Sequence, residues 1–364
     1  MKKYILAFLD WLGFDLISIL LKVIRGEEPK KNGKILLRKI LIPVFSVLIF
    51  LGGCNFVSSY LYGVERERKI EKTRSSEGEA AALIMQKGID NGDPSCKPNS
   101  LPSPMDVWHG LQKLITDHEM IQADKAAFEE KTSKVNAMLK EQGKSEIKYT
   151  GRPSFVDQIF KSLETVFAGF LLAAFIAIPA GIVLGLSKTL RDAVNWIIQI
   201  LKPVSPVVWL LLVSMVVKTI LANADMDKSF IISFISVGFC CMWAILVNTM
   251  VGVSSVDKDY LNVAKVLRLG VVTKVFKIIL PASIPSIFTG LRISLSVAWM
   301  VLIAIELLAQ SPGLGSFVWE EFQNGSNDSN AKIIVAMFVI GGIGFALDKM
   351  MMMIQNAVSY DSKS

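Results

Sequence analysis

Charge is scarce in this chain of 364 residues, where Asp, Glu, Lys and Arg make up 20% of the whole, against roughly 25% in ordinary globular domains. The polar residues are gathered into blocks, which leaves long apolar runs and a mean hydropathy of +0.47. That partition excludes an ordinary soluble enzyme and points to a polytopic membrane protein. Cysteine is also rare. Of Cys54, Cys96, Cys240 and Cys241 only Cys96 lies in a polar segment, so no internal disulfide framework and no C-x-x-C metal site is expected. The two histidines, His109 and His118, lack the spacing of a helical metal pair. Gly185-Leu186-Ser187-Lys188-Thr189 misses the phosphate-loop pattern, because Ser187 stands where that loop needs glycine. No nucleophile, base and acid set emerges. The chain is therefore expected not to be an enzyme and to hold no metal, nucleotide or other cofactor of its own. The formal net charge of +7 is accounted for by basic loops on one side of a membrane, so nucleic acid is not an expected partner.

What is present is a series of apolar windows. A bilayer core needs about 20 predominantly apolar residues per helix. Ile40 to Val64, Thr165 to Ser187, Ser229 to Val256 and Ile293 to Val318 meet that length, the last interrupted by Glu306. Val204 to Ala224, with Lys218, and Ile333 to Gln355, with Asp348 and Lys349, complete a set of six expected spans. Lys188, Arg191 and Lys202 lie between spans two and three, and Lys258, Lys265, Arg268, Lys274 and Lys277 between spans four and five. The positive-inside rule then puts both connections, and both termini, in the cytoplasm. The opposite connections carry Asp225, Asp227, Glu320, Glu321 and Asp328, as expected outside.

Four regions follow: residues 1–34, a first transmembrane helix over 35–64, a polar helical insertion over 65–155, and a core over 156–357 with five further spans and a cytoplasmic loop at 256–281. Within the first, residues 4 to 24 are apolar, but Asp10, Asp15, Ser18, Lys22 and Arg25 fall within about 140° on a helical wheel, which predicts an interfacial helix. A signal peptide is the alternative, and the two aspartates in its apolar region speak against it. Leu51-Gly52-Gly53-Cys54 matches a lipoprotein cleavage box, though it follows a polar linker and reads as chance. The insertion has charged helix-prone runs on either side of a Pro, Asn and Gly cluster from Asn91 to Pro104.

The loop at 256–281 is long for a topology signal and has a helical pattern from Tyr260 to Ile279, expected to end at Pro281. Asn262-Val263-Ala264, then Arg268, then Ile278-x-Leu280-Pro281 keep the spacing of E-A-A-x3-G-x9-I-x-L-P, with Asn for Glu and Arg for Gly as departures. In this the chain resembles the permeases of bacterial binding-protein-dependent ABC importers. Pro281 through Arg292, Ala298-Trp299, Glu306-Leu307-Leu308 and Gly313-Leu314-Gly315-Ser316-Phe317-Val318-Trp319 look like the nitrate, sulfonate and taurine family, with most similarity to its nitrate and bicarbonate branch. Leu101-Pro102-Ser103-Pro104 and Lys202 through Trp209 resemble further segments of that family, and the match covers roughly residues 155 to 357. The stretch from about Ala123 to Thr150 and the extended N-terminus depart from it.

The resemblance implies an all-α, six-helix type I importer permease in the bacterial inner membrane, importing a small inorganic anion. Nitrate or nitrite comes first, bicarbonate or cyanate next, sulfonate or taurine last. A channel or membrane scaffold is the alternative of another class. The implied partners are a second permease copy in a homodimer, cytoplasmic ATPase subunits that bind ATP and magnesium, a periplasmic substrate-binding protein, and lipid. Asn262, Val263, Ala264 and Arg268 are the implied ATPase-coupling residues, with Pro281 ending the loop and setting the angle of span five. Trp209, Arg292, Trp299 and Glu306 are candidates for the translocation path. Arg292 offers a planar fork suited to an oxyanion or else a snorkelling helix-end charge. Trp209 and Trp299 either line the path or pack. Glu306, about 21 Å along the helix from Arg292, is expected to have a structural partner, either Lys218 or backbone donors, since a carboxylate repels an anion.

Overall fold

A computed structural model describes residues 38, 41–93, 96–143, 146–223 and 226–358. The expected interfacial helix at the N-terminus lies outside the described residues. The chain divides into two compact units, the first ending at Trp108 and the second starting at His109.

In the first unit, α1 (Ile42–Glu77) is apolar up to Val64 and charged beyond it. At 1.5 Å per residue it is about 54 Å long, well beyond the bilayer core, so the helix outlasts the span expected from hydropathy. It stops at Gly78, whose φ of 91° is accessible to glycine at little cost. There α2 (Glu79–Asp90) turns back along the charged half of α1. Arg74 meets Glu79 at 3.0 Å beside the turn, and Arg66 meets Asp90 at 2.5 Å at the far end. Asp106 stands in the first turn of α3 (Pro104–Glu141). Burial alone would raise its pKa, but hydrogen bonds from Ser103 and the Lys97 ammonium hold the carboxyl below its ordinary value.

The second unit is built around α7 (Lys228–Ser254), which packs between α4 (Phe155–Leu186) and α10 (Leu280–Ala309). Hydrophobicity alone does not hold apolar helices together in lipid, so close backbone approach matters. Glycine supplies it. A Cβ at Gly185 would stand 2.6 Å from Val253 Cβ, one at Gly181 2.7 Å from Thr249 Cβ, and one at Gly290 2.7 Å from Asn248 Cβ. Hydrogen bonds cross the same seams, from Ser294 Oγ to the Cys241 carbonyl at 2.9 Å and from Ser286 Oγ to the Asn248 carbonyl at 3.2 Å. The last helix, α12 (Asn327–Val358), lies against α10.

The described residues contain five helices long and apolar enough to cross a membrane, and six such spans if one bent pair counts as a single span. That pair is α5 (Lys188–Leu201) and α6 (Pro206–Ile220), set at 100° across a break at Pro203 and Pro206. Expected span three is thus a 15-residue helix of about 22 Å, preceded by an amphipathic one. Span five is also displaced, since α10 runs over Leu280–Ala309 and not Ile293 to Val318. Gln310 ends it in the left-handed region at φ 50°. Ser311-Pro312-Gly313 then turns the chain into a separate helix, α11 (Leu314–Asn324).

Within the second unit, the part of α3 from His109 onward is tied to the start of α4 and to α12. Along α3, Lys113 pairs with Asp328 at 2.6 Å, Lys332 approaches Asp117 at 3.6 Å, and His118 Nδ1 lies 2.9 Å from Ser154 Oγ. Lys125 meets Asp157, the capping-box residue of α4, at 2.5 Å. Beyond that the chain forms a hairpin on itself. The Asn136 amide bonds both the N–H and the carbonyl of Ile147, at 2.9 and 3.0 Å.

The glycine seams give a direct test. Gly185→Ala should destabilise the chain by about 1–3 kcal/mol through overpacking, seen as a lower thermal midpoint in detergent. Gly53→Ala, where a Cβ meets nothing within 4 Å, should leave the midpoint unchanged or higher.

Candidate functional site

Two places stand out, one at each end of α10. At the loop end, α8 (Lys258–Val266) follows α7 after three residues. Arg268, at the position where the importer motif has glycine, sits in the left-handed region at φ 49°. The Leu269 N–H reaches back to the Ala264 carbonyl at 3.0 Å, the long-range bond of a Schellman closure. The motif glycine thus has a backbone reason, and arginine in its place stores roughly 1 kcal/mol of strain. The Arg268 side chain is exposed, as are Asn262 and Val263, whereas Ala264 is only 1% exposed and faces its own chain. Tyr260, Val266 and Leu267 add exposed apolar surface beside them.

The helix does not end at Pro281. After the short α9 (Val271–Lys274) a π turn over Val275–Ile279 leads straight into α10. Proline has no N–H and its ring crowds the carbonyl four residues back. The widened turn accommodates it, with the Leu280 N–H bonding the Val275 carbonyl. Residues Val272–Ala309 therefore form one continuous rod of 38 residues. Pro281 is exposed and lies within this rod.

At the other end of the rod lies Glu306, 1% exposed. Its carboxylate accepts from Ser162 Oγ, at 2.8 and 2.9 Å to its two oxygens, and from the Gly315 N–H at 2.9 Å. Ser162 in turn accepts from the Leu314 N–H at 2.9 Å. Two N–H groups in the first turn of α11, which no helical carbonyl can satisfy, are thus paired by side chains from α10 and α4. A Cβ at Gly313 would meet the Glu306 carboxylate, and one at Gly315 would meet the Ile303 carbonyl. The backbone-donor half of the expectation for Glu306 is what the structure has. Lys218 is not among its bonds, and the serine partner 144 positions away left no local signal.

The remaining candidates are engaged. Arg292 forms a fork with Asp348 of α12, Nε to Oδ1 at 2.5 Å and Nη2 to Oδ2 at 2.8 Å. The pair lines an open cleft of about 450 Å³ with Thr289, Ser296 and Gln355. Arg292 thus has a carboxylate partner that neither sequence reading of it had named. Trp299 is buried and donates from Nε1 to the Ile340 carbonyl at 3.0 Å, fastening α10 to α12. Trp209 stacks on Phe239 with centroids 5.0 Å apart and planes 3° from parallel. Asp348 was legible only as a blemish in the last apolar window.

The chain matches the family model described as binding-protein-dependent transport system inner membrane component over residues 177–359. It is 37% identical to a nitrate import permease protein of Synechococcus elongatus over 202 residues, 56% of this chain and 69% of that one. A bicarbonate transport system permease protein of Synechocystis is 36% identical over 203 residues, 56% of this chain and 68% of the relative. A putative ABC transporter permease protein of Methanocaldococcus jannaschii is 34% identical over 200 residues, 55% of this chain and 70% of the relative.

Removing the Glu306 carboxylate should be costly. Glu306→Ala leaves buried donors unmet and opens a cavity, for an expected loss of about 2–5 kcal/mol. Glu306→Gln keeps one acceptor and should lose less than half as much. Chemical denaturation in detergent ranks them, and equal stability of the two variants would show that the hydrogen bonds contribute nothing beyond packing.

Proposed function

The chain belongs to the binding-protein-dependent transport system inner membrane components and is the permease of an ABC importer, and we propose that its cargo is a small inorganic anion, nitrate or nitrite before bicarbonate. The observation that carries the anion class is the sequence likeness over the core to a nitrate permease and a bicarbonate permease, at 37% and 36% identity. It displaces the channel and scaffold readings. The order within the class follows the nitrate-like segments Asn262 through Leu269 and Phe317-Val318-Trp319-Glu320.

In this reading α8 faces the cytoplasm and seats on a separate ATPase subunit that holds ATP and magnesium. The exposed apolar residues Tyr260, Val263, Val266 and Leu267 supply the contact, and Ala264 packs the helix onto its own chain. The Schellman closure at Arg268 makes α8 a short stiff element. The rod from Val272 to Ala309 then carries its displacement over about 50 Å to the Glu306 cluster. A packed rod with a closed loop transmits a rigid-body motion that a slack loop would absorb. A second copy of the chain completes the path in a homodimer, and an external binding protein delivers the anion. In the cleft at Arg292, Thr289, Ser296 and Gln355 offer polar groups, and Asp348 keeps the guanidinium oriented while no anion is present. An anion competing for that fork meets a site whose resting charge is already balanced, which favours release over retention.

Proteoliposomes holding the permease, its ATPase and the binding protein test the cargo. ATP-dependent uptake of labelled nitrate, weakly inhibited by bicarbonate, is expected. Uptake of bicarbonate without nitrate would reverse the order. At the loop, Arg268→Gly should relieve about 1 kcal/mol of backbone strain, yet reduce transport if the guanidinium contacts the ATPase. Arg268→Ala keeps the strain and loses the same contact. Transport lowered equally by both assigns the effect to the side chain, and transport lowered further by glycine than by alanine assigns the difference to the backbone.

A further inference from the structure

The bent pair α5 and α6 carries an apolar flank that the chain itself leaves open. On a helical wheel, every charged side chain of α5 and its C-terminal cap, Lys188, Arg191, Asp192 and Lys202, falls with Asn195 and Gln199 inside an arc of about 100°. Apart from Thr189, the rest of the circumference is apolar. One edge of it packs on the chain, since Ile198 is 3% exposed and α5 touches α4. The remainder is open, with Leu190, Trp196 and Ile200 exposed to 46%, 61% and 59%. This open flank lies opposite the charged arc.

The bend decides what covers the flank. α5 stands at 100° to α6, so with α6 crossing the bilayer α5 lies close to the membrane plane. The 15 residues of α6 reach about 22 Å, less than the ~30 Å hydrocarbon core. Its start, and α5 joined to it through Pro203, therefore stand at the acyl boundary and not out in the solvent. At that depth an open apolar arc meets lipid chains and the opposite arc meets headgroups. Charge selects the headgroup. Lys188, Arg191 and Lys202 fall within about 60° of one another on the wheel, against a single carboxylate, Asp192. Among the described residues none of these three side chains has an ion-pair or hydrogen-bond partner. Unpaired cations at a membrane surface attract anionic lipid.

We propose that α5 is an interfacial helix that binds anionic phospholipid, its apolar flank lying among the acyl chains and Lys188, Arg191 and Lys202 holding the headgroup phosphates. The bound lipid fixes the depth of the Pro203 to Pro206 joint and so of the short helix α6. The proposal rests on the six-span reading, in which α6 crosses the bilayer, and is independent of the cargo.

The test places the photo-crosslinker p-benzoylphenylalanine at position 196 in the complete transporter, permease with ATPase, in nanodiscs of equimolar phosphatidylcholine and phosphatidylglycerol. Mass spectrometry of the adducts should find phospholipid, with phosphatidylglycerol enriched about three- to fivefold over its share of the bilayer. Combining Lys188→Gln, Arg191→Gln and Lys202→Gln should return the two lipids to their input ratio while the lipid adducts persist. Crosslinks to the ATPase or to a second copy of the permease in place of lipid overturn the proposal. So does a wild-type ratio equal to the input, or an enrichment that survives the triple substitution. The six-span reading is checked separately by labelling Asn223→Cys, in a Cys96→Ser background, with an impermeant maleimide from outside intact cells. Absence of that label removes the reading and the proposal together, whereas labelling with no lipid enrichment removes the proposal alone.

Discussion

One buried carboxylate organises the end of the molecule where the long rod stops. Glu306 is nearly inaccessible, and a lone ion in such surroundings would cost several kcal/mol. It is met by the Ser162 hydroxyl and the Gly315 N–H. The consequences spread outward from it. Gly313 and Gly315 have to be glycine because the carboxylate and the α10 backbone occupy the space of a Cβ. The start of α11 is fixed because two of its free N–H groups are capped by side chains from other helices. The first turns of α4 are tied to the last turn of α10 through Ser162.

The opposite end of the rod depends on backbone geometry instead of charge. Arg268 closes α8 in a conformation that glycine adopts freely, and the π turn before Pro281 lets the chain enter the membrane helix without a break. Both ends of the rod are thus closed by specific contacts, of the backbone at one and of side chains at the other. The loop helix was expected to end at Pro281, whereas the rod continues through it.

Much of this was legible beforehand. The apolar windows found the membrane helices, because lipid demands length and hydrophobicity before anything else. They misplaced the borders where a helix continues past its apolar part, as α1 does beyond Val64 and α10 does before Ile293. They merged Ile293 to Val318 because the windows were bounded by charges, and Gln310 to Gly313, which breaks the helix by conformation, carries none. The loop motif was readable from spacing, but the left-handed backbone at its glycine position was seen only in the structure. The partners of Glu306 and Arg292 were not readable, because Ser162 and Asp348 are 144 and 56 positions away and no local pattern links them. The relatives place the chain among importer permeases.

The central claim is that the Glu306 cluster holds the start of α11 as firmly as the core of the rod. Hydrogen exchange of the wild-type chain in nanodiscs measures this directly. The amides of Leu314 and Gly315 should be protected to the level of the middle of α10. Exchange at those two amides as fast as at the exposed turn around Gly325 would contradict it.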